Sequence, residues 1–191
     1  MEKQGRAAVQ QGSIAAPLPD RQVLRQEVAQ RCPDVPLQVL DEVFAQLDDD
    51  YFRVFTVAQI TTHVLLLAAV DDQHPVQIHV VSRHAHRAEL VVAAYDLFGE
   101  FSIITGLITS YGLNIRDGQV FSYHRGPGRA TPWGTAPGGL IVDVFTVEYA
   151  AERPFDSMAQ AAFTAQLTTL IQQLRAGQLQ EARASLSGQI I

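Results

Sequence analysis

Cysteine is nearly missing from this chain. Cys32 stands alone, so no intrachain disulfide can form and no thiolate metal site can be assembled. Lysine is equally scarce: Lys3 is the only one against thirteen arginines, and no basic run occurs. The net charge is −6, which argues against a nucleic-acid partner, because phosphate neutralisation supplies most of that affinity. No apolar stretch approaches the ~18–20 residues that span a bilayer, so no membrane partner is expected. The opening residues Met1-Glu-Lys-Gln-Gly lack the apolar centre of a secretion signal, and a cytoplasmic location is expected.

Catalytic signatures are missing as well. Ser102 and Ser157 have no elbow or triad context. The glycine- and proline-rich stretch from Gly126 to Gly139 lacks the Lys-Ser/Thr ending of a phosphate loop and reads as a mobile connection with Trp133 at its tip. His79, His84 and His86 fall in or beside a hairpin turn without a supporting set of ligands, so a solvated turn is the better reading than a metal site. Asp48-Asp-Asp50 reads as a solvated break. His63, on an apolar helix, reads as a core or interface histidine. No catalytic residue, metal or cofactor is predicted.

What the chain does contain is apolar periodicity. Its 191 residues are 47% hydrophobic and 18% charged, enough to bury a real core. Residues 1–18 are aperiodic and predict a disordered tail. Residues 19–72 predict a helical arm of three segments. Asp20 caps the first, and Pro33 stops it. Pro36 opens the second at a first helical position, with Leu37, Leu40, Val43, Phe44 and Leu47 at helical spacing. Thr56-Val-Ala-Gln59 is a capping box for the third.

Residues 73–191 carry the strands. Pro75–Val81 alternates and, through a polar connector from Ser82 to Arg87, forms a hairpin with the strand Glu89–Tyr95. A helix follows, with Phe98, Phe101, Ile104, Leu107, Ile108 and Tyr111 on one stripe expected to face the sheet. A second strand runs from about Ile115 to near Tyr123, and Gly139–Val147 is a third. Asp156 caps a long helix that Gly177 ends, and a short helix over 179–186 follows; the terminal Ile190-Ile191 could begin a strand.

The order β-α-β-β-α predicts an α+β, ferredoxin-like antiparallel sheet with helices on one face. The usual last strand is missing, and the hairpin strand at 75–81 takes its place beside the first, a permuted sheet edge. The first and third strands are apolar on both faces, so something must cover the second face. Either the arm or another subunit can do so, and a homodimer is expected on that ground.

The combination Asp96-x-x-Gly99-x-Phe101, Gly112-Leu-Asn-Ile115 and Asp143-x-Phe-x-Val147 resembles an ACT domain. The stretch from Tyr51 to His63 is similar to the linker before the ACT pair of bacterial PII uridylyltransferases (uridylyl-removing enzymes). The resemblance covers about residues 50–176. It implies an ACT-type regulatory domain that binds an amino acid at an interface between domains, with glutamine favoured and a link to nitrogen regulation. Phe98 stands where the family often has proline. Nothing resembles the nucleotidyltransferase glycine-serine loop with its paired aspartates or the HD metal motif. The chain is therefore expected not to be an enzyme by itself, though it could be the sensing end of one.

The ligand-binding residues expected are Asp96, Leu97, Phe98, Gly99, Asn114 and Ile115. Gly99 would let backbone approach the ligand, and the helix start beyond it would suit a carboxylate. Asp96 would take the α-ammonium, or would merely cap the helix. Asn114 would come from an adjoining subunit, as the resemblance implies. The alternatives are a ligand-free interaction or dimerisation module, or a fragment of a uridylyltransferase-type enzyme.

Overall fold

The computed structural model describes residues 20–84, 86–123 and 139–187. The expected tail at 1–18, the connection at 126–138 with Trp133, and the possible strand at Ile190-Ile191 lie outside them.

The arm contains four helices rather than three: α1 (Arg21–Arg31), α2 (Leu37–Gln46), α3 (Asp49–Val54) and α4 (Val57–Ala68). Asp20 accepts from the backbone N–H groups of Gln22 and Val23, as an N-cap should. Pro36 is the N-cap of α2, one position before the place expected for it. The acidic triplet is no break. Asp48 caps α3 through the Tyr51 N–H, while Asp49 and Asp50 fill the first turn, where carboxylates complement the helix dipole. Thr56 and Gln59 form the reciprocal capping box of α4.

Strands β1 (Val76–His84), β2 (Arg87–Tyr95), β3 (Asn114–Tyr123) and β4 (Leu140–Glu148) form one antiparallel sheet in the order β1-β2-β4-β3. Ser82, Arg83 and His84, expected in a connector, continue β1. His86, just before β2, has a left-handed φ of 65°. Helix α5 (Glu100–Ser110) joins β2 to β3, and α6 (Ser157–Arg175) and α7 (Leu179–Ser187) follow β4. Gly177, at φ 77°, ends α6. The fold is α+β, and its strand order, with β1 at the edge beside β2, is compatible with a ferredoxin-like arrangement.

Helices cover both faces of the sheet, not one. Leu90, Val92, Ala94, Ile141, Phe145 and Val147 pack on α5, α6 and α7. The alternate residues Val91, Ala93, Tyr95, Leu140, Val142 and Val144 share a core with the arm. Alternation sends successive side chains to opposite faces, so two apolar faces need two covers, and the arm supplies the second from within the chain. That removes the ground on which a homodimer was expected.

At the loop before β1, Arg175 donates to the Asp72 carboxylate at 2.6 Å and to its carbonyl at 2.9 Å, tying the arm's exit to the end of α6. Among the described residues no helix is long and apolar enough to cross a membrane.

Candidate functional site

The turn between β2 and α5 is made by Asp96, Leu97, Phe98 and Gly99. Gly99 is the N-cap of α5 at φ 90°, a conformation that side chains with a Cβ rarely adopt. Gly99 offers no side chain to cap α5. Asp96 holds the turn to the sheet through its own N–H, which donates to the Gly139 carbonyl at 3.0 Å.

Phe98 does not face the sheet, and Phe101 is turned toward it only in part, its ring 6.4 Å from that of Phe145. Phe98 and Phe101 are 88% and 46% exposed, and the buried stripe of α5 is Ile103, Ile104, Leu107 and Ile108. A left-handed residue at the helix entry turns the chain so that Phe98 is carried outward, before the helical period begins. Leu97 turns inward and touches both hydrophobic cores.

Two carboxylates not foreseen as site members lie beside the turn. Asp143, in the centre of β4, is fully buried, and neither of its carboxylate oxygens has a hydrogen-bond partner among the described residues. Alternation with Ile141 and Phe145 places it on the α5 face. Burial, followed by the nearby charges of Glu100 and Asp96, pushes its carboxyl up to about 7. Glu100, in the first turn of α5, is also pushed up, first by burial and then by Asp96. The visible signal for Asp143 was one acidic residue inside an otherwise apolar strand.

These three carboxylates set the electrostatics. When ionised, they would favour a cationic group such as a primary ammonium over an anion. A ligand carboxylate at the α5 N-terminus, as expected from sequence, would meet Glu100. The site also lacks open space directly over Gly99: a Cβ built there would lie 2.9 Å from Leu179 Cδ1. Any substitution at Gly99 would thus be strained by the positive φ and would push the end of the Leu179 side chain aside, so it cannot probe binding cleanly.

Asn114 and Ile115 are exposed, at the other end of α5. In register, Asn114 aligns with Glu148 and Arg87, whereas the Asp96 turn follows the row Tyr95, Leu140 and Tyr123. Eight residues of strand separate those rows, roughly 25 Å at the usual rise. One chain therefore brings Asp96, Leu97, Phe98 and Gly99 together with Glu100 and Asp143, but not with Asn114 or Ile115. At the far row Glu148 accepts from both Arg87 and Arg116, joining β2 and β3 across the end of β4.

Among the described residues no group of three or more His, Cys, Asp or Glu could hold a metal ion. No protein-family model matches the chain, and no curated protein matches it in sequence.

Proposed function

We propose that the chain is an amino-acid-responsive regulatory domain of ACT type, with the β2–α5 turn facing the ligand. The observation that carries this reading is Asp143: a fully buried carboxyl without a partner among the described residues, beside Asp96 and Glu100 under a positive-φ glycine turn. A buried acid in that condition is unfavourable for the fold alone, and an ammonium group offset by it would relieve the cost. The strand order and the residues resembling an ACT domain support the same reading, and they make glutamine the first ligand to try. Because Asn114 lies at the opposite row, a site using it would need a second copy of the chain, as the resemblance implies. The resemblance also leaves room for the chain to be the regulatory part of a uridylyltransferase-type enzyme in nitrogen control.

The test is a thermal shift and calorimetric titration with the twenty amino acids. Glutamine should raise the melting temperature, and its analogue without the α-amino group should not, since the ammonium is the group recognised. No heat and no shift with any amino acid at millimolar concentration would sink the proposal.

One observation favours a second reading, a ligand-free interaction domain. Leu179 already occupies the space over Gly99. If Leu179 simply completes the core, glutamine and its desamino analogue will act alike.

A further inference from the structure

A cavity lies on the opposite sheet face from the turn at Gly99, between the first turns of α4 and the β1–β2 hairpin. Its volume is about 190 Å³. That is below the ~300–1,000 Å³ of pockets for drug-sized ligands, so its occupant is metabolite-sized. Gln59, Thr62 and His63 line it from α4. Alternate strand residues form the floor, with Val81 opposite Glu89 and His79 opposite Val91 in register.

Gln59, His63 and Arg83 bring donors to this cleft, against the Glu89 carboxylate paired with Arg83 and the Thr62 hydroxyl, which donates to the Ala58 carbonyl. His63 is 1% exposed; its Nδ1 lies 2.9 Å from the Tyr51 hydroxyl, and its Nε2 has no partner among the described residues. Burial first, and then His79, lowers the ring to about 4, so the imidazole is neutral. In the tautomer that has the Tyr51 hydroxyl donating to Nδ1, Nε2 carries the proton and is a buried donor. Gln59 spends its Oε1 on the Thr56 N–H and hydroxyl, which leaves the amide nitrogen for the cleft. Arg83 is positioned by an ion pair of 2.8 Å with Glu89, whose single bridging contact leaves further guanidinium N–H groups for a ligand. The start of α4 adds the positive end of its dipole. The methyls of Ala58, Val81 and Val91 make the remainder apolar.

We propose that this cleft binds a small organic monocarboxylate. Its carboxylate accepts from His63 Nε2 and Arg83, and its short apolar body rests on Val81 and Val91. The cleft joins the arm to the sheet, so occupancy would tighten α4 onto the hairpin. This inference is independent of the amino-acid reading.

Butyrate is the probe, butyramide its uncharged isostere, and sodium chloride the ionic-strength control. The readout is the His63 imidazole nitrogen resonance of the labelled full chain. Butyrate should move the Nε2 signal saturably, and butyramide and chloride should not. Arg83→Gln should weaken butyrate by about tenfold, as expected for loss of a charged hydrogen bond. Thr62→Leu, which fills the cleft from a partly exposed helix position, should abolish the response while the melting temperature is kept. The proposal is overturned by no saturable shift at tens of millimolar butyrate, by an equal response to butyramide, or by wild-type binding in both variants.

Discussion

The Tyr51 hydroxyl lies 2.9 Å from His63 Nδ1, with both side chains buried in the arm. The pair links α3 to α4, and aromatic rings enclose it: Phe55 meets His63 edge-on at 4.6 Å, and Phe121 of β3 meets Tyr51 at 5.2 Å. The contact thus connects the arm to the far edge of the sheet.

Tyr51→Phe should cost about 1–3 kcal/mol, because the ring nitrogen loses its only partner in an apolar surrounding. Chemical denaturation reads this directly. A cost near zero would mean that water reaches Nδ1.

Asp143 and His63 should give stability opposite pH slopes. Asp143 moves from 3.8 to about 7 on folding. Across that window the folded chain keeps a proton that the unfolded chain has lost, so stability falls as pH rises and then levels off. His63 moves from 6.5 to about 4, so the unfolded chain keeps the extra proton and stability rises with pH over that window. The slopes offset each other between about 4 and 6.5. Asp143→Asn should remove the first and expose the second, giving a stability that climbs with pH relative to wild type. Denaturation midpoints from about pH 4 to about pH 8 check this, and parallel curves would mean that Asp143 titrates normally.

Leu179→Ala should open the space above Gly99. Leu179 is partly buried on the α5–α6 core, so a loss of roughly 1–2 kcal/mol is expected, below that of a fully buried leucine. If the turn binds an amino acid, glutamine affinity should improve in this variant. A lower melting point with no change in binding would favour the ligand-free reading.

A homodimer completing the site would have to bring the β3 edge of one copy to the β2–α5 turn of another. Ile115 and Val120, on the edge strand β3, are 38% and 50% exposed. Val120→Lys should shift sedimentation toward the 20.9 kDa monomer without lowering the melting temperature. A wild-type chain that sediments as a monomer at every concentration would leave Asn114 outside any site.

Local signals made the elements legible. Asp20, the Thr56–Gln59 box, Asp156 and Gly177 each satisfy backbone groups within a few residues, so their effect is written into the sequence. The place of β1 beside β2 was legible too, because a short connector between two alternating runs forces them into a hairpin. The same locality hid α3: Asp48 reads as solvated until the Tyr51 N–H is seen above it. Apolar periodicity announced that the sheet had two faces to bury, but a pattern names a need and not its partner. Only the tertiary structure decided that the arm is the second cover, that Phe98 turns outward, and that Asn114 stands far from Gly99. It also brought Asp143, 43 residues after Glu100, beneath the same helix start. Charges that meet through folding repel or attract by distance in space, and sequence separation carries no record of that distance.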